Sequence, residues 1–482
     1  MAKKLQSIPK EFILNRLKFE NPWWETGDIE KEYGVLKKRL YFELLFTLVE
    51  EVDVKRAVVL MGPRRVGKTV IMHHVIDGLL KRNKVRSNKI CFINIENPLY
   101  VNIGLQELFL MAMKSVENED PDGWFVFFDE IQYLKEWEIH LKVLVDSYPN
   151  TKFIVSGSAA AALKIKSNES GAGRFTDFML PPLTFHEYIH LKDHENLITR
   201  THIFFQGKKL DFFGTNNVES LNNHFVEYIN YGGYPEVIFS SKIQSDLSRY
   251  IKNDIIDKVL LRDLPSLYGI QNVQELNAFF TTLVFHSGNE LSVDSLSVAS
   301  GVNKNTLKKY LEYLEAAFLI KRIHRIDEAG NKFQRQGLYK IYLTNPSLRS
   351  ALFSPLEPTD DRFGNMVETA IFSQWLHRDN YIPWYARWQS GEIDMVGLGS
   401  KTLKPIWAVE IKWGNKLYDN LRELKNMFTF CNKNSLKDAV VTTRDKFEYK
   451  TIDGLNINYI PCSVYAYNAG YNTIAHQYVK MI

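Results

Sequence analysis

The sequence predicts an α/β chain in which a parallel sheet covered by helices comes first and a second α/β unit comes last. Three observations carry this expectation. Short, almost wholly apolar runs alternate with stretches of helical period between about 57 and 158, the pattern of strands buried on both faces. The first of these runs, AVVLM, leads through a glycine-bounded turn, GPRRVGKT at 62–69, into a helix. Beyond the proline- and charge-rich linker PSLRSALFSPLEPTDDRFG, a long helix at 363 onward is followed by alternating strands and helices.

Taken in order, residues 1–40 are mixed polar and aromatic, and Pro22-Trp23-Trp24 reads as a stretch that packs on the following domain. Residues 41–52 form an amphipathic helix pattern, and RAVVLMGPRRVGKTVIMHHVIDGLLK gives strand, turn and helix. Lys89 to Glu96 is a second strand, GLQELFLMAMKSV a helix, WFVFFDE a third strand and TKFIVSGS a fourth. After about Pro182 the pattern changes: LTFHEYIHL is helical, a polar insertion runs over about 191–222, and helices dominate to about 290. Residues 291–345 read as helix, turn, helix and two short strands.

At roughly 150 residues per domain, 482 residues imply about three domains. Hydrophobic residues at 45% and charged residues at 24% exclude wholesale disorder. Lysine and arginine number 60 against 56 acids, so any nucleic-acid surface must be a local patch rather than a general coat of charge. Three widely spaced cysteines show no zinc-ligand spacing and suit a reducing cytoplasm. The first residues lack the apolar stretch of a signal peptide, and no run of about 18 apolar residues predicts a membrane span.

Gly62-Pro63-Arg64-Arg65-Val66-Gly67-Lys68-Thr69 fits G-x-x-x-x-G-K-[ST] at every fixed position, with Val70 opening the helix behind it. Such a loop turns backbone N–H groups toward phosphate oxygens, its lysine reaches the β/γ-phosphates, and its threonine hydroxyl can ligate Mg²⁺. The helix aims its positive end at the same anion. ATP and Mg²⁺ are therefore the expected cofactors. WFVFFDE ends in Asp129-Glu130, placing one acid to hold Mg²⁺ and the next to polarise the attacking water. Ser156 or Ser158, at the end of the following strand, is a candidate contact to the γ-phosphate or the water. Arg174 is a candidate γ-phosphate contact, in cis or toward a neighbouring chain.

The segments GPRRVGKT, FFDEIQYLKEWE, VSGSAA, GRF…LPPLTFHEYI and YGGYPEV occur in this order and resemble bacterial and archaeal AAA ATPases of the MNS/STAND-related clade. The resemblance covers about 40 to 482. It implies a P-loop AAA-type parallel sheet at 41–190 after an N-terminal segment at 1–40, a helical lid region at 191–290, a winged helix-turn-helix at 291–350 and a C-terminal nuclease-like domain at 355–482. Ser156 stands where the family often has threonine. In LYKIYLTNPSL, Asn345 stands where an aspartate is usual.

LSVDSLSVASGVNKNTLKKYLEYLEAAFLIKRIHRI gives a winged helix-turn-helix pattern. Leu296, Val298, Val302, Leu307, Leu311 and Leu314 suit its small core, and Asn303 suits the cap of the second helix. Lys304, Asn305, Lys308 and Lys309 lie on the half of that helix that would enter a major groove, with Lys321, Arg322 and Arg325 on the wing. A protein-docking role for the same fold is the alternative.

In the last unit, strand alternation puts Glu410 and Lys412 on one face of WAVEIKWG, and Asp394 shares a face with Glu392 in SGEIDMVG. Neighbouring strands would bring Asp394, Glu410 and Lys412 together, with Glu368 from the preceding helix as a further metal ligand. Two carboxylates make a hard-oxygen site for Mg²⁺, which can activate a water while lysine orients it. This set resembles the PD-(D/E)XK nuclease core, a restriction-endonuclease-like α/β fold. Two functions follow from the sequence. One is an ATPase acting on nucleic acid, DNA through the winged helix and the last domain, with a metal-dependent nuclease as output. The other is a nucleotide-controlled switch or scaffold that holds a protein partner. The sequence leaves the oligomeric state open.

Overall fold

The computed structural model describes residues 9–157, 173–333, 337–376 and 383–481. The chain divides into two compact units, Met1–Pro181 and Pro182–Ile482.

In the first unit, β1 (Ala57–Met61), β2 (Ile90–Asn94), β3 (Phe125–Asp129), β4 (Lys152–Gly157) and β5 (Phe175–Met179) form one parallel sheet in the order β2-β3-β4-β1-β5. The first four strands match the four expected from the apolar runs. Every residue of β1, β3 and β4 is buried, because the crossover helices cover both faces. Helices α1 (Lys10–Glu20), α2 (Phe42–Glu50), α3 (Lys68–Lys81), α4 (Leu105–Ser115) and α5 (Trp137–Ser147) supply that cover. Their apolar residues interdigitate with alternate strand residues, as Phe109, Leu141 and Leu144 do with Val126 and Phe128. Each such side chain contributes roughly 1.5–3 kcal/mol on burial. The N-terminal segment packs on β2. Asn21 donates from Nδ2 to the Phe92 carbonyl and accepts the Phe92 N–H, while Trp23 and Trp24 both donate to the Ile90 carbonyl.

The second unit begins with α6 (Phe185–Leu191), which is closed at its start by a capping box between Thr184 and Glu187. The expectation of a helical region from 191 is corrected over its first part. An antiparallel hairpin, β6 (Ile198–Phe205) and β7 (Lys208–Thr215), stands there. Its alternation is diluted by polar residues on both faces, so it reads as a polar insertion. Helices α7 (Val218–Tyr231) and α8 (Val273–Phe285) follow.

Then come β8 (Glu290–Ser292), α9 (Val293–Ser300), α10 (Lys304–Ala316), β9 (Ile320–Ile326) and β10 (Leu338–Leu343). These three strands pair antiparallel in the order β9-β10-β8. Next are α11 (Phe363–Trp375), β11 (Trp384–Trp388), β12 (Gly391–Leu398), β13 (Pro405–Glu410), α12 (Lys425–Lys433), β14 (Asp438–Thr443), β15 (Glu448–Ile452), β16 (Leu455–Pro461) and α13 (Cys462–Met481). Strands β8 to β16 make one nine-stranded mixed sheet, ordered β15-β16-β14-β13-β12-β11-β9-β10-β8. The join is the parallel pairing of β11 with β9, Tyr385 beside Arg325 and Ala386 beside Ile326. One face packs Met395, Val409 and Tyr342 under α11 and α13, and the other packs Val396, Ala408 and Val441 under α12.

Val298, expected in the core of the helix-turn-helix, is 86% exposed. It lies two residues from the buried Leu296, which on a helix is the opposite side. Cys91, Cys431 and Cys462 are buried free thiols. Among the described residues no helix is long and apolar enough to cross a membrane.

Candidate functional site

Strand β4 lies between β1 and β3, so the loop after β1, the acids after β3 and the polar end of β4 stand side by side at the carboxyl edge of the sheet. That is where parallel α/β sheets gather ligands. The loop runs Gly62, Pro63, Arg64, Arg65, Val66 and Gly67 into α3, with Val70 in its first turn. Gly67 is the residue before the helix and has φ +91°, a conformation a side chain would resist. Lys68 is buried, and its Nζ donates to the Gly62 and Pro63 carbonyls at 3.1 and 2.8 Å, curling the loop around its own ammonium. Arg39, which no local signal marks, donates to the Val66 and Pro181 carbonyls and holds the loop from behind.

Thr69 Oγ1 donates to Asp129 Oδ2 at 2.7 Å, and Ser156 Oγ donates to Asp129 Oδ1. The Glu130 N–H donates in turn to Ser156 Oγ at 3.3 Å. Burial and then the neighbouring Glu130 raise the Asp129 carboxyl above the ordinary range, against the pull of Ser156, Thr69 and Lys68. Glu130 itself has φ +53°, which turns the chain just as the strand ends. Gln132 Nε2 donates to Glu130 Oε2. Tyr133 donates to Glu96 at 2.9 Å with Arg64 interacting alongside. Thus Lys68, Thr69, Asp129, Glu130 and Ser156 are brought together.

Arg174 is not. It precedes β5 and pairs through its carbonyl with the start of β1, five residues of strand away from the loop, and its guanidinium binds Asp146 at 2.7 Å. A contact in cis to a phosphate at the loop is therefore corrected: the strand would have to be crossed end to end, roughly 16 Å at strand rise. Ser158 lies outside the described residues.

The second cluster is in the nine-stranded sheet. Lys412 Nζ lies 2.6 Å from Asp394 Oδ2 and 3.1 Å from Glu410 Oε1, and the Ile411 N–H also donates to Asp394. Glu368, from α11, faces the same place. Between these acids sits a residue that no sequence motif marks. Lys340 of β10 is 4% exposed and contacts Glu392 at 2.6 Å, Glu368 at 2.8 Å and Asp394 at 3.8 Å. Tyr342, on the same face of β10, donates to Glu368. The signal was present: in LYKIYL one lysine interrupts an apolar strand, and alternation sets it with Tyr342.

Burial works to lower the Lys340 pKa, but Glu368, Asp394 and Glu392 outweigh it and hold it above the usual lysine range. For Asp394, burial works upward, yet Lys412 and Lys340 overcome it and the carboxyl is held low. Glu410 is pushed up to about 8, first by burial and then by Asp394. Its Oε2 is buried without a hydrogen-bond partner.

At Glu368, also expected as a metal ligand, Lys340 and Tyr342 both engage Oε1. Among the described residues no three His, Cys, Asp or Glu side chains converge as a metal cage. The remaining pair, Asp394 and Glu410, still fits Mg²⁺, which is commonly held by one or two carboxylates and several waters. The unpartnered Glu410 oxygen is the observation that points to such an ion.

In the segment expected to form a helix-turn-helix, Asn303 accepts from the Asn305 N–H and caps α10. Lys304 pairs with Asp294, Arg322 with Glu315 and Arg325 with Glu290. Lys308 and Lys309 are exposed and Lys321 is half-buried.

Residues 54–189 match the family described as an AAA domain. That match spans the phosphate-type loop, Asp129 and Ser156, so this region is similar to AAA domains and carries their P-loop. Residues 222–360 of the chain match a domain of unknown function (DUF8612). The chain is 23% identical to an uncharacterised protein of Haemophilus influenzae over 418 residues, 86% of this chain and 95% of that one. It is 24% identical over 398 residues to an uncharacterised protein of Methanocaldococcus jannaschii, covering 80% of each. Among solved structures, the Walker-type ATPase PABY2304 of Pyrococcus abyssi is similar at 17% identity and a TM-score of 0.38, over 65% of this chain and 95% of that one. The ORC2 protein of Aeropyrum pernix, in ADPNP–ADP complexes, aligns at 11% identity and a TM-score of 0.28, over 61% and 88%.

Proposed function

We propose that the chain is a Mg²⁺-dependent ATPase whose second unit acts on nucleic acid, with Asp394, Glu410 and Lys412 as a metal-dependent nuclease site. The observation that carries the ATPase half is the Thr69–Asp129 hydrogen bond across the loop and β3, which sets a hydroxyl and a carboxylate together beside Lys68. Mg²⁺ held by Thr69 and Asp129 would neutralise charge on the β/γ-phosphates. Lys68 holds the phosphates, the loop amides orient them, and Glu130 positions the water, its backbone fixed by Ser156.

The nuclease half is supported by the shared contact of Asp394 and Glu410 with Lys412 and by the unpartnered Glu410 oxygen. In this reading Asp394 and Glu410 hold Mg²⁺, which supplies an activated water, and Lys412 orients that water toward a phosphodiester. The segment from β8 to β10 is read as a winged helix that binds DNA through α10, chiefly at Lys308 and Lys309. The buried free thiols support a cytoplasmic setting.

A specific observation favours the second reading, a nucleotide-controlled switch that docks a protein partner. Lys304, Arg322 and Arg325 spend their charge on acids of the chain itself. One experiment separates the readings: the purified full chain is incubated with Mg²⁺ or Mn²⁺, with and without ATP, against single-stranded, double-stranded and branched DNA and RNA. Metal-dependent cleavage lost in Asp394→Asn supports the nuclease. ATP turnover with no cleavage or nucleic-acid binding under any condition selects the switch.

A further inference from the structure

We infer that Lys340 is a resident cation of the second cluster, one that limits this site to a single divalent ion. The inference rests on reading Asp394 and Glu410 as metal ligands and deepens it. A buried ammonium costs several kcal/mol unless it is closely paired, and Lys340 is paired with Glu368, Glu392 and, more distantly, Asp394. No other cation of the chain contacts Glu368 in the described structure. Lys340 therefore does for Glu368 and one side of Asp394 what a second metal ion would do.

The charge count agrees. Four carboxylates, Glu368, Glu392, Asp394 and Glu410, face two ammonium groups, Lys340 and Lys412, and Arg387 reaches Glu392 at 3.3 Å. With all four carboxylates ionised the cluster is one positive charge short, next to Glu410, whose Oε2 lacks a partner. One divalent ion there takes it from one charge short to one in excess. A second would leave it three in excess before any phosphate arrived. Lys340 also comes from β10, upstream of the linker, so a fragment starting at 355 would lack the cation that steadies its own acids.

The test is a count of bound Mn²⁺ on the full chain, by equilibrium dialysis or electron paramagnetic resonance without nucleotide. The baseline is a variant with Asp394→Asn and Glu410→Gln. Wild type should bind one ion more than this baseline, Lys340→Met two more, and Lys340→Arg one more. A wild-type excess of two ions overturns the inference without needing any Lys340 variant to fold, as does a folded Lys340→Met that stays at one. In both cases the metal-site reading survives. A wild type that binds no more Mn²⁺ than the baseline removes that reading and the inference together.

Discussion

At the P-loop, the buried carboxylate of Asp129 is steadied by two hydroxyls, Thr69 and Ser156, whereas in the second unit Asp394 is steadied by two ammonium groups, Lys412 and Lys340. The pKa directions diverge accordingly: Asp129 is raised by burial and Glu130, and Asp394 is lowered by its lysines despite burial. A hydroxyl satisfies geometry without supplying charge, so the first site holds only the Lys68 ammonium beside Asp129 and gains its further cations with the nucleotide. The second carries most of its cations permanently. The same residue types thus give a site that assembles with its ligand and a site already assembled.

If the two sites are independent, the largest effects are complementary. Lys68→Ala should lower ATP turnover by at least ~10²-fold and leave Mn²⁺ binding by the second unit unchanged. Asp394→Ala should do the reverse, which parallel turnover and metal-binding assays would show. Loss of both functions in either variant would break the comparison. Glu130→Gln is expected to keep nucleotide affinity while slowing hydrolysis by about 10²-fold, because Asp129 and Thr69 remain; a nucleotide Kd alongside single-turnover rates checks this.

A smaller effect follows from Glu410. Its folded pKa of about 8 lies above the ~4.3 of an unfolded glutamate. Between those values the folded chain keeps a proton that the unfolded chain has lost, so its contribution to stability falls as pH rises through the window. Glu410→Gln should remove that fall, with melting temperatures diverging by a few degrees toward about pH 8 and the variant higher. Added Mg²⁺ should narrow the gap by raising wild type alone. Smallest is the basic helix. Lys308→Ala with Lys309→Ala should reduce the salt slope of DNA binding by about one to two. Lys304→Ala should change it less, because Asp294 already holds that charge.

The first site was legible because its residues sit within fixed spacing of strand ends, where sequence and position coincide. The second was legible only in part. Alternation set Glu410 with Lys412 and Glu392 with Asp394, but Lys340 arrives from a strand some fifty residues upstream, and only the β9–β11 pairing brings it there. Arg174 shows the converse. Its sequence neighbourhood suggested the phosphates, yet the direction of β5 puts it at the far end of the sheet. Asn345 was marked only as a departure from a pattern. The structure buries it against Gly233, where an added Cβ would sit 2.4 Å from its Oδ1, so the GGYPEV turn and the LTNPSL turn meet face to face. The hairpin at 198–215 escaped because neither of its faces is cleanly apolar.

The side-chain amide of Asn21 has the same donor and acceptor as a peptide group, and it presents both to Phe92 as a sixth strand would. Two indole N–H groups complete the imitation at Ile90. A fragment cut to begin near 41, where the ATPase domain is expected to start, would strip this imitation away. It would leave a bare row of backbone donors and acceptors open to any extended chain, the template on which folded proteins aggregate. Asn21, Trp23 and Trp24 therefore occupy the open edge of β2, where another extended chain would otherwise pair.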